Sequence, residues 1–138
     1  GEYGCFSNFY RAEVMFEGKK YPTSEHAFQA AKTLDPVKRK EIAVLPTPSA
    51  AKRAGRKLRL RDDWERVKIG VMEQILRDKF DRHPHLKKVL LATGDRELRE
   101  GNDWGDKFWG VVGNTGRNEL GKCLMRLRSE YRRGDLWS

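Results

Sequence analysis

The sequence predicts an α+β fold: one compact domain over residues 1–138, predominantly helical, with a few short β-strands. Two runs carry the helical part. Trp64, Val67, Val71, Met72, Ile75, Leu76 and Phe80 recur at helical spacing, and so do Leu120, Cys123, Leu124, Leu127 and Tyr131. The strand part rests on Val14 to Phe16 and Lys20-Tyr21, which flank Glu17-Gly18 as a short hairpin would. A length of 138 residues suits a single core that needs neither metal nor disulfide staples.

The elements follow in order. After the hairpin, Pro22 discourages continuation of any earlier helix, and Thr23 or Ser24 can cap a first helix at 24–33. Asp35-Pro36 begins a second, which Pro46 and Pro48 end. Ser49 can cap a brief third helix, and Gly55 can stop it in a left-handed conformation. Asp62 or Asp63 caps the long helix through Phe80. Pro84 starts another that carries Leu86, Val89 and Leu90 and stops at Gly94, with Glu97 to Glu100 extended behind it. The segment 101–116 holds five glycines, two Trp and two Asp without clean periodicity and reads as strand fragments in a structured loop. Asn118 is the cap expected for a last helix over 118–132.

Hydrophobic residues make up 38% of the chain, with six Phe, four Tyr and four Trp, which argues against a disordered segment. No apolar stretch approaches the roughly 20 residues of a bilayer-spanning helix. The expected compartment is cytoplasmic or nuclear, with no membrane partner, and Gly1 in place of Met points to a trimmed chain. Cys5 and Cys123 alone suit reduced thiols rather than a disulfide framework. The net charge of +9 gathers in Lys38 to Lys40, Lys52 to Arg61 and Arg126 to Arg133. Such basic clusters suit nucleic acid or phosphorylated ligands, or simply a solvated surface.

The most informative stretch runs from Tyr21 to Lys32. At 100° per residue, Glu25, Phe28, Gln29 and Lys32 fall in one narrow stripe. Glu25 and Lys32 can converge there on a group bound over Phe28 and Gln29, or pair on a solvated face. His26 points away from the stripe, and His83-Pro84-His85 lacks carboxylate or thiol company, so neither a bound metal nor a cofactor is expected. Nucleophile-elbow, Walker and dinucleotide patterns are missing. Gly116-Arg117-Asn118 ahead of the last helix can hold a phosphate on free N–H groups and a guanidinium, or cap the helix in the ordinary way. Trp104 and Trp109 bracket Asp106 and can offer an indole to a flat ring and a carboxylate to its sugar, or belong to the core.

Taken together, the segments resemble the NADAR (YbiA-like) family. The pieces are Phe6-Ser7-Asn8-Phe9, the Tyr21 to Lys32 block, Ala51-Lys52 with Gly55, Trp64, Met72, Lys79-Phe80, Leu90 to Gly94, Asp106 with Trp109-Gly110, and Gly116 to Gly121 with Leu124-Met125. The resemblance implies an N-glycosidase. Some members remove ADP-ribose from guanine, and bacterial relatives cleave early riboflavin-pathway intermediates. It also implies Glu25, Lys32 and Asp106 as catalytic residues. Phe6, Asn8, Phe9, Tyr21, Trp104, Trp109, Gly110, Arg117 and Asn118 are the implied substrate contacts. The basic surface and the paired tryptophans favour an ADP-ribose substrate on guanine in nucleic acid or nucleotide. A phosphorylated ribosylaminopyrimidine substrate, or noncatalytic reading of ADP-ribose or of nucleic acid, are the alternatives.

Two chemical routes satisfy such a substrate. Glu25 or Asp106 can activate water against an oxocarbenium-like state, with Lys32 positioning the sugar. In the other, Lys32 attacks the ring-opened imine, Glu25 shuttles protons and Asp106 holds ribose hydroxyls. The second requires a neutral amine, which desolvation or a neighbouring cation would favour and Glu25 would oppose.

Overall fold

The computed structural model describes residues 3–137, with side chains to 134. Among the described residues the fold is α+β, six helices and one two-stranded sheet, and the chain divides into two compact units, Gly1–His83 and Pro84–Ser138. Among the described residues, no helix is long and apolar enough to cross a membrane.

The first unit opens with a 3-10 turn at Gly4–Phe6, followed by the antiparallel hairpin of β1 (Arg11–Phe16) and β2 (Lys19–Thr23). Phe16 pairs with Lys19 and Val14 with Tyr21, and the register slips between Arg11 and Val14. Glu17 and Gly18 both take positive φ, 48° and 82°, as a tight two-residue turn between twisted strands demands. Pro22 therefore lies in a strand, one residue before the cap.

α1 (Ser24–Ala30) begins at Thr23, whose hydroxyl accepts the His26 N–H at 3.1 Å. All seven of its residues are buried. It stops three residues short of the expected 24–33. Lys32 and Thr33 close the end with tighter bonds to the Gln29 and Ala30 carbonyls, and the Lys32 carbonyl accepts the Arg61 N–H instead of continuing a ladder. Lys32 thus stands in the turn just past α1.

α2 (Pro36–Ala43) is capped by Asp35, with proline at its first position as expected. α3 (Pro48–Arg56) is capped by Thr47 rather than Ser49, because Pro48 already occupies the first helical position. Gly55 does not terminate α3 in a left-handed turn. It lies inside the helix, buried, where α3 presses on α1. α4 (Trp64–Arg82) starts after Asp63, whose carboxylate pairs with Arg61 and makes no cap bond. Its apolar face packs Trp64 against Phe28 at 5.2 Å and Phe80 against Phe6 at 6.0 Å, with Met72, Ile75 and Leu76 between. Each such side chain contributes about 1.5–3 kcal/mol by leaving water.

In the second unit, α5 (Pro84–Ala92) ends with Gly94 at φ 65°. α6 (Glu119–Trp137) packs Leu120, Leu124 and Leu127 with Leu86 and Leu90 in the apolar core. Residues 97–100 do not form a regular strand. The loop between holds only isolated pairings, Gly101 with Val111 and Val112 with Thr115. Asn118 is left-handed at φ 54°, and its side chain bonds the Glu100 N–H and the Leu98 carbonyl, so it fastens the loop rather than capping α6 conventionally. Cys5 and Cys123 are buried, and neither is part of a disulfide.

Candidate active site

In the first unit, the start of α1 hangs on the preceding loop: the Glu25 N–H donates to the Asn8 carbonyl at 3.0 Å. One turn on, Gln29 Nε2 donates to Glu25 Oε1 at 2.8 Å. Glu25 is 7% exposed and Gln29 4%, so this bond lies in a dry environment where a charge-assisted contact counts for more. Asn8 donates to the Met72 sulfur at 3.7 Å, while its Oδ1 is buried without a hydrogen-bond partner.

Lys32 is half-buried, its Nζ 5.7 Å from the centre of the Phe28 ring. Burial holds its amine below the ordinary lysine range. The Glu25 charge opposes that, and the cations of Arg56 and Lys52 on α3 add to it. Lys52 places its Nζ 6.0 Å over the ring of Phe9, which is 37% exposed. An acid, an amine and two further cations are thus electrostatically linked across α1, its terminal turn and α3.

The other predicted contacts of this unit are placed differently. Phe6 is a core residue, stacked on Tyr3 at 5.4 Å and packed on Phe80. Tyr21 is 1% exposed; burial raises its hydroxyl, and the charges it feels are those of Arg39 and Glu17. A cavity of about 990 Å³ includes neither Glu25 nor Lys32 in its lining. It opens between α2, α3 and the segment before α4, and three of its four acids are engaged: Asp35 caps α2, Glu41 pairs with Lys38 and Asp63 with Arg61. Its volume therefore is not the guide to the chemistry.

In the second unit, Asp106 Oδ1 accepts the N–H groups of Phe108 at 3.1 Å and Trp109 at 2.9 Å, and the Asp106 backbone is clasped by Asn102. This fixes a turn that carries Trp109, half-buried and edge-on to Phe108 at 4.8 Å. Trp104 is 62% exposed. Gly110 lies so close to the Glu100 carbonyl that a side chain there would collide with it. The N–H groups offered to a phosphate are taken: those of Arg117, Asn118, Glu119 and Leu120 donate to the carbonyls of Lys107, Gly110, Phe108 and Trp109. Arg117 stacks on Phe108 at 4.7 Å and pairs with Glu119.

Three participants carry no catalytic or binding role from sequence alone. Gln29 stands in the stripe only as part of the surface beneath a bound group, Lys52 as a piece of the family pattern in a basic run, and Arg56 as a member of that run. Their i, i+4 spacing beside Gly55 is the signal that could have found them, since it sets both cations beside the stripe that meets α1.

The NADAR domain model matches residues 1–132. N-glycosidase YbiA of Shigella boydii is 46% identical over 132 residues, covering 94% of this chain and 82% of that protein. A riboflavin biosynthesis protein of Vibrio vulnificus is 38% identical over 93% of the chain, which spans 35% of it. The NMR structure of Escherichia coli YbiA superposes with a TM-score of 0.89 at 43% identity, over 99% of this chain and 82% of that one. The chain belongs to the NADAR domain family, beside named N-glycosidases.

Proposed function

We propose that this chain hydrolyses the N-glycosyl bond joining ADP-ribose to a guanine base, in nucleic acid or nucleotide, with Lys32 as nucleophile and Glu25 moving protons. The observation that carries the reading is Lys32 itself. It is an amine kept below the ordinary lysine range by burial and by two neighbouring cations, beside a buried carboxylate. The opposition between Glu25 and desolvation falls on the side of desolvation.

In the step proposed, the ribosyl group on an exocyclic guanine amine opens to an imine. Neutral Lys32 adds to its C1, the C1–N bond to guanine breaks, and the departing amine takes up a proton delivered through Glu25. Water then adds to the lysine imine, the C–Nζ bond breaks, and ADP-ribose leaves while Lys32 is regenerated. The net change is substrate plus water to guanine plus ADP-ribose. Lys52 and Arg56 suit the anionic phosphates.

The riboflavin-biosynthesis name of the Vibrio vulnificus relative favours a second substrate of the same bond class, a phosphorylated ribosylaminopyrimidine. Incubation with ADP-ribosylated guanosine and with the ribosylaminopyrimidine phosphate, each with and without borohydride, separates the possibilities. The expected result is free guanine and ADP-ribose, and under borohydride a sugar adduct on Lys32. Turnover without an adduct removes the imine route, turnover of the pyrimidine alone selects the second substrate, and binding without product leaves a noncatalytic reader.

A further inference from the structure

α3 crosses α1 so closely at Gly55 that a Cβ atom there would stand 2.6 Å from Gln29 Cδ and 3.1 Å from Gln29 Cβ, and would overlap Gln29 Oε1 outright. The Gln29 amide therefore occupies the space a side chain at position 55 would take. Its orientation is seen in its bond to the carboxylate: Nε2 donates to Glu25 Oε1, and Oε1 is left against the bare Gly55 backbone. That oxygen is buried with no hydrogen-bond partner. Helix packing alone needs none of this, because methionine at 29 would fill the volume without burying an unpaired oxygen.

We propose that Gln29 and Gly55 act as a pair of positioning residues for Glu25: the glycine makes the space, and the amide in it holds the carboxylate in its working rotamer and favours its ionised form. This rests on the reading of Glu25 as the group that moves protons. Gly55 acts only through Gln29, and that gives the pair a signature distinct from ordinary packing.

The test is a cycle of Gln29→Ala, Gly55→Ala and the double variant, scored by kcat, KM and the pH profile of kcat on the substrate turned over by the unsubstituted chain. Each single variant is expected to lose about tenfold or more in kcat, the scale of one hydrogen bond to a charge. KM should stay within about twofold, and the acidic limb should move to higher pH. The double variant should be no worse than Gln29→Ala, since the amide that Gly55→Ala displaces is already gone. An unmoved limb with full kcat in Gln29→Ala, or losses that multiply in the double variant, overturns the proposal. A second measurement needs no turnover and no altered packing. The side-chain amide resonances of Gln29 should titrate with pH in the intact protein and cease to do so in Glu25→Gln. A flat amide response sinks the link between the two side chains, whereas a chain that shows the response but hydrolyses no N-glycoside sinks the function and leaves the link standing.

Discussion

Lys79 Nζ donates to the Ser7 carbonyl at 3.1 Å from a side chain with no solvent exposure. The amine also lies 5.7 Å from the centre of Tyr10 and 5.6 Å from that of Phe80. α4 thereby holds the loop whose next residue, Asn8, receives the Glu25 N–H.

Lys79→Met keeps the stem and removes the amine, leaving the Ser7 carbonyl without that donor. The Tyr10 N–H stays on that carbonyl, so unfolding free energy should fall by about 1.5–3 kcal/mol, the worth of one hydrogen bond from a charged donor. Hydrogen exchange at the Glu25 amide should quicken at the same time. Unchanged stability with unchanged exchange would show that the loop is fastened by other means.

His26 predicts a pH response. Its Nε2 faces the Leu45 carbonyl at 3.0 Å, which can only accept, so Nε2 carries the proton and Nδ1 receives the Thr23 hydroxyl at 2.8 Å. Burial first, then the Arg11 charge, hold the imidazole below its ordinary 6.5, against the pull of the Leu45 bond. The unfolded chain therefore takes up a proton near 6.5 that the folded chain refuses. The contribution is complete above that pH and declines as pH falls from about 6.5 toward the folded value. Urea midpoints should drop between about pH 7.5 and about pH 5.5 in the parent, and His26→Asn should be less stable but flatter over that interval. Parallel slopes in the two would remove His26 as the cause.

Lys32 should report its cations. Arg56 and Lys52 both help to push its proton off, so in Lys52→Gln or Arg56→Gln the ammonium form becomes easier to hold. At about pH 8, trinitrophenylation of Lys32 followed by peptide mass spectrometry should run faster than at exposed lysines. It should slow by about two- to fivefold in either variant, the range of a partly exposed charge pair. Labelling that ignores both substitutions would mean that burial alone sets the amine.

Much of this was legible in the chain. Glu17-Gly18 announced its turn because only residues tolerant of positive φ close two strands in two positions. Asp35-Pro36 announced a helix because its cap and its fixed φ are local properties. The register of Glu25, Phe28 and Gln29 on α1 followed from helical geometry. What escaped depended on partners remote in sequence. α1 ends early because Arg61 takes the Lys32 carbonyl, and Gly55 stays helical because Gln29 needs its space. The phosphate site expected at Gly116 to Asn118 relied on N–H groups that the folded loop consumes, which no local pattern at the helix start reveals.

The burial of all seven residues of α1 ties chemistry to completion of folding. A helix of two turns does not persist alone in water. Glu25 and Lys32 therefore acquire their mutual placement only after the hairpin, α3 and α4 have closed around them. On the proposed function, a nascent or half-melted chain would be chemically silent, and the onset of turnover would mark the moment the first unit is finished.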